Sequence, residues 1–73
     1  MSRAPLFSGK EIIRALGKTG YYPVRQRGSH IRLACRGKKT ITVPNHPEIG
    51  RGLLIKILRD AELPLGEFLK LVK

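Results

Sequence analysis

Residues 21–44, "YYPVRQRGSHIRLACRGKKTITVP", decide what this chain can fold into. Here apolar residues stop recurring at helical spacing and begin to alternate with polar ones, the pattern of strands with one buried face. Tyr22, Val24 and Gln26 are expected to share a face of a first strand. Ile31, Leu33 and Cys35 do so in a second, and Ile41 and Val43 in a third. Gly28 marks the first reversal, and Gly37, inside "CRGKKT", marks the second, a short hairpin. Pro44 and Pro47 in "VPNHPEIG" close off the sheet, because neither can donate a ladder hydrogen bond and both restrict the residue before them.

Helical signals flank this region on both sides. Residues 1–7 read as an N-terminal arm. Ser8 and Glu11 then have the spacing of a capping box, and Phe7 with Ile12 that of a hydrophobic staple. Ile12, Ile13 and Leu16 form an apolar stripe on a helix that runs to about Lys18, with Gly20 as its stop. On the C-terminal side, Leu53, Leu54, Ile57 and Leu58 form a second stripe. That helix ends at Ala61 or Glu62 because Pro64 biases its predecessor away from helical angles. Leu65, Phe68, Leu69 and Val72 line a short last helix. The expected fold class is α+β, a two-layer α-β-β-β-α arrangement plus the short C-terminal helix, with a three-stranded antiparallel sheet in one domain of residues 1–73.

Composition narrows the function. Fifteen Lys and Arg against five Asp and Glu give a formal net charge of +10 on 73 residues, with basic residues in every segment. A polyanion is the natural partner, since counterion release from phosphates needs only such a surface. An anionic membrane fits less well, because no helix pairs a basic face with exposed aromatics. The lone cysteine, Cys35, cannot form an intramolecular disulfide and reads as a small buried hydrophobe, which fits a reducing, cytoplasmic setting. No basic-then-apolar leader opens the chain and no apolar run is long enough to span a bilayer, so a soluble protein is expected.

Strand parity then locates the chemistry. If Ile31, Leu33 and Cys35 lie under the helices, His30, Arg32 and Ala34 turn outward. Arg25 and Arg27 on the first strand, and Thr40 and Thr42 on the third, join them. The exposed face thus holds arginines around one imidazole, the side chain that ordinarily titrates near neutral pH. His30 is the candidate catalytic residue. It could move a proton in RNA cleavage, where the ribose 2′-OH attacks the adjacent phosphorus and the 5′ oxygen leaves protonated, while guanidinium groups steady the phosphorane oxygens. The plain alternative is a solvated strand histidine. His46, in "PNHPE", is the second candidate proton carrier.

Other chemistries fit poorly. The acids Glu11, Glu48, Asp60, Glu62 and Glu67 all lie outside the strands, which leaves no carboxylate cluster for metal ions. His30, His46 and Cys35 do not make a zinc set, so neither a metal nor a small-molecule cofactor is expected. "LGKTG" at 16–20 ends a helix and lacks the first glycine of a phosphate loop. Of the four aromatics, Phe7, Tyr21, Tyr22 and Phe68, at most Tyr21 could stack on a base, which favours recognition of RNA by shape and phosphate.

The succession "GKEIIRALGKTGYYPVRQRGSHIRL…ITVPNHPEIGRGLLIKILRDAEL…EFLKLV" resembles the HicA toxins, also described as YcfA-like, over about residues 8–72. "RQRGSH", "ITVPNH" and "GRGLLIKILRDAEL" are its most specific parts. Two departures stand out: Leu65-Gly66 replaces a polar cap before the last helix, and Leu53 stands where Thr is common. The resemblance implies a fold like a double-stranded-RNA-binding domain and ribosome-independent cleavage of mRNA. It also implies catalysis by the histidine of the G-S-H motif, here His30, and inhibition by a HicB-like antitoxin that covers the basic face. Expected RNA contacts are Arg25, Arg27, Ser29, Arg32, Lys38 and Lys39. Two rival readings are a non-catalytic binder, with residues 50–72 as a helix-turn-helix contacting backbone through Arg51, Lys56 and Arg59, and an assembly factor that only neutralises RNA.

Overall fold

The computed structural model describes residues 6–73. Its elements follow the expected order: α1 (Gly9–Gly17), β1 (Tyr22–Arg27), β2 (His30–Ala34), β3 (Ile41–Pro44), α2 (Arg51–Asp60) and α3 (Leu65–Leu71). The protein is α+β, with one open antiparallel sheet in the order β1-β2-β3. Of the expected arm, residues 1–5 lie outside the described part, whereas Phe7 forms an isolated bridge to Ile49, whose amide donates to the Phe7 carbonyl at 2.8 Å.

Each helix end has a local cause. At the start of α1 the Glu11 amide donates to Ser8 Oγ at 3.1 Å and the Ser8 amide to Glu11 Oε1 at 2.8 Å, completing the capping box. Gly20, at φ 109°, stops the helix, with the Tyr21 amide reaching back to the Leu16 carbonyl and that of Gly20 to Gly17. The same paired pattern closes α2, where the amides of Leu63 and Glu62 donate to Leu58 and Arg59. There the left-handed position is occupied by Glu62, at φ 57°.

The helices cover one face of the sheet. Leu33, Ile41 and Val43 from the strands meet Ile12, Ala15 and Leu16 of α1 and Leu54, Ile57 and Leu58 of α2, all buried. Phe68 of α3 is fully buried, and Phe7 stands edge-on to it at a centroid distance of 5.1 Å. Cys35 is half-buried at the margin of this cluster. The helical stripes are narrower than expected: Leu53, Leu65 and Leu69 stay exposed, and the core side of the C-terminal segment is carried by Phe68 with partial cover from Leu71 and Val72.

The largest departure is in β1. Tyr22 pairs with Ala34 and Pro23 with Leu33, but the next pair is Arg25 with Arg32, so the register shifts across Val24. The expectation that Tyr22, Val24 and Gln26 share a face therefore fails at its first residue. Gln26, opposite Ile31, points toward the helices, whereas Tyr22 lies on the open side with Arg25 and Arg27. A one-residue bulge reverses the parity on one side of itself. Its position on an edge strand, exposed along its whole length and containing Pro23, tolerates the lost ladder bond.

Candidate nucleic-acid interface

Directly paired residues on an antiparallel ladder project to the same face. Arg27 lies across from His30 and Arg25 from Arg32, while on the other side of β2 His30 faces Pro44 and Arg32 faces Thr42. Arg25, Arg27, His30, Arg32 and Thr42 accordingly line one open depression of about 240 Å³. Thr40 is exposed in the connection before β3 and is not part of it.

The electrostatics of this face are one-sided. Among the described residues no Asp or Glu lines the depression. Ion pairs join Lys39 and Lys56 to Asp60 and Lys70 to Glu67, none of which lines the depression. Like charges set directly opposite each other, as Arg25 and Arg32 are, cost a few tenths to about 1 kcal/mol. An anion in the depression would relieve that repulsion.

The tip of the β1–β2 hairpin holds His30 at its edge. Gly28 takes φ 59° and Ser29 does not take a positive angle, the sign pattern of a type II′ turn, whose twist matches the strands it joins. Gln26 Nε2 donates to the Gly28 carbonyl at 3.1 Å, and the Asn45 amide donates to the Ser29 carbonyl at 2.6 Å. Residues 44–46 are held in turn by α1. The Gly9 amide donates to the His46 carbonyl at 2.9 Å, and a Cβ on Gly9 would collide with the Pro44 carbonyl oxygen. A glycine at the first position of α1 thus lets the segment that pins the hairpin tip lie against the helix. Helical spacing alone carries no sign of this requirement.

The remaining expected residues are dispersed. Ser29 Oγ sits 3.4 Å from His46 Nε2. His46 lines a neighbouring depression with Ser8, Lys10, Asn45 and Pro47, not the one that contains His30. Lys38 and Lys39 lie beyond the far end of β2. Lys38 Nζ donates to the Ala61 carbonyl at 3.3 Å, and Lys39 Nζ is 3.8 Å from Asp60. A hydrogen bond from Lys56 holds the Asp60 carboxyl below its usual range against the opposing effect of burial, assisted by the charges of Lys56, Lys39 and Arg59. Among the described residues no three His, Cys, Asp or Glu side chains gather as a metal site, and no helix is long and apolar enough to cross a membrane.

The aromatic expected to be available is not. Tyr21 is buried, and its hydroxyl donates to the Lys39 carbonyl at 2.8 Å. Burial first, and then the proximity of Cys35, Glu62 and Asp60, raises its pKa. The exposed tyrosine is Tyr22, on the open face. The helix-turn-helix alternative also meets an obstacle, since α3 is only seven residues long and is anchored by its buried Phe68.

Two layers and an open sheet face on which one imidazole is set among guanidinium groups define a small α+β protein with a basic surface depression. The chain belongs to the HicA toxin family: the family profile described as "HicA toxin of bacterial toxin-antitoxin" matches residues 9–63 of 73, from the first residue of α1 through the turn after α2. A comparison with curated proteins finds no match.

Proposed function

We propose that this protein is the toxin of a toxin–antitoxin pair and acts as an endoribonuclease on mRNA, with His30 as the proton-transferring residue. The observation that carries this reading is the depression in which His30 is lined up with Arg25, Arg27, Arg32 and Thr42. A scissile phosphate seated there would have guanidinium donors on its non-bridging oxygens and an imidazole beside either the attacking or the departing oxygen. In the chemistry proposed, the 2′-oxygen loses its proton and bonds to phosphorus, the bond from phosphorus to the 5′ oxygen breaks, and that oxygen leaves protonated. The products are a 2′,3′-cyclic phosphate and a 5′-hydroxyl. The route requires no metal. Charge on the phosphorane is met by Arg25, Arg27 and Arg32, while Ser29, through the hairpin tip, positions His30.

Lys38 and Lys39, at the far end of the sheet, would add long-range attraction to the RNA backbone. His46, which lines the neighbouring depression with its Nε2 3.4 Å from Ser29 Oγ, would serve mainly to hold the hairpin tip. A HicB-like antitoxin would silence the protein by covering the same face, and an acidic surface on that partner would match the sheet arginines.

The test is incubation of RNA in EDTA with the wild type and with His30→Ala. Cleavage by the wild type alone supports the reading, and a 2′-deoxy substitution at the cut site should abolish it. Cleavage that persists in His30→Ala removes His30 from the mechanism. Binding without cleavage by either protein favours the non-catalytic binder.

A further inference from the structure

Resting on the RNA-cleavage reading of the same face, we infer that the substrate lies on the sheet as a single strand and that Tyr22 stacks on one of its bases. Four observations converge on this ring. Tyr22 is 55% exposed, whereas Tyr21 and Phe68 are buried and Phe7 packs against Phe68. The register shift at Val24 turns it to the side that carries Arg25, Arg27, His30 and Arg32. Its cross-strand partner is Ala34, a small side chain that takes little room beside the ring. The pairs Tyr22–Ala34, Arg25–Arg32 and Arg27–His30 follow one another along β2, so the row runs from aromatic to guanidinium pair to imidazole.

The spacing suits a nucleotide chain. Successive same-face positions on a strand are roughly 6.6–6.8 Å apart. Tyr22 is two such steps from the His30 position, a span of about 13 Å that an extended strand crosses in about two nucleotides. A cationic track with an aromatic platform is how proteins hold single-stranded nucleic acid, because every base offers a π face. A duplex keeps its bases stacked inside and would leave the ring idle. Bulges commonly re-aim a side chain beside a functional site. Here the bulge places on the binding face a residue that unbroken alternation would have sent to the opposite side.

Binding is measured in the His30→Ala background, so that RNA is not consumed, with fluorescein-labelled single-stranded RNA and with an RNA hairpin duplex. Tyr22→Ala should weaken single-strand binding about tenfold or more, the equivalent of about 1.4 kcal/mol, and leave duplex binding within about twofold. Tyr22→Phe, which keeps the ring, should match the parent. An abasic site placed about two nucleotides from the scissile phosphate should weaken the parent and leave Tyr22→Ala unchanged. Equal weakening of single strand and duplex, or no weakening, overturns the stacking role. Because these are binding readouts, absence of cleavage by the wild type would sink the nuclease reading without deciding this one. Failure of the parent to bind single-stranded RNA at all would overturn it.

Discussion

The two faces of the sheet are made by the same three strands and have opposite tasks. The covered face carries Leu33, Ile41 and Val43 and is buried, whereas the open face carries Arg25, Arg27, His30 and Arg32, with no acid among the described residues that line its depression. Adjacent residues in the chain therefore differ in role more than residues a whole strand apart. Arg32 and Leu33 are the clearest pair. Removal of the first should be felt by an anionic ligand, and removal of the second by the fold.

The comparison can be broken most sharply at His30. His30→Ala should reduce RNA cleavage about 10²- to 10⁴-fold, the range of general acid–base catalysis, while the thermal midpoint changes little because the side chain is exposed. A midpoint that collapses together with activity would make His30 a structural residue. Leu33→Ala, on the other face, should cost about 2–5 kcal/mol in urea unfolding, with catalysis intact in whatever fraction stays folded. In a chain this small such a loss approaches the total stability.

Gly9→Ala probes whether the hairpin tip depends on the helix behind it. The added methyl group must displace the Pro44 carbonyl, so a loss of about 1–3 kcal/mol is expected, with changed amide shifts at Ser29 and Asn45 as the specific marker. Arg32→Gln should do the opposite to stability. Relief of repulsion from Arg25 would add a few tenths of a kcal/mol at low salt, and the slope of log affinity for single-stranded RNA against log salt should flatten by about 0.7.

The smallest effect is in acid. Folding holds the Asp60 carboxyl below its ordinary value of 3.8, so the pairing with Lys56 supports the fold above that pH. The support fades as the pH falls through the lowered value and Asp60 protonates. Asp60→Asn should lower stability slightly near neutral pH and bring the two proteins together in acid, and an equal difference between them at both pH values would contradict it.

Much of the fold was legible in the chain order because its signals are local. The Ser8–Glu11 spacing, the helix stop at Gly20 and the reversal at Gly28 each act over a few residues, and each formed as read. The imidazole in an arginine face followed from parity on β2, a strand without irregularity on either side of His30. Parity misled at the start of β1, where Tyr22 and the preceding Tyr21 exchanged their expected accessibility.

Local periodicity and charge, then, determined an α+β chain with one basic sheet face, since the alternation of apolar residues is a property of consecutive peptide units. Three matters belonged to the tertiary structure: the bulge that turns Tyr22 outward, the approach of Pro44 that demands glycine at position 9, and the placing of His46 and His30 in different depressions. Each depends on which segment lies beside which. A register shift or a close backbone contact is settled by the neighbouring strand or helix, and nothing in the spacing of nearby residues records it.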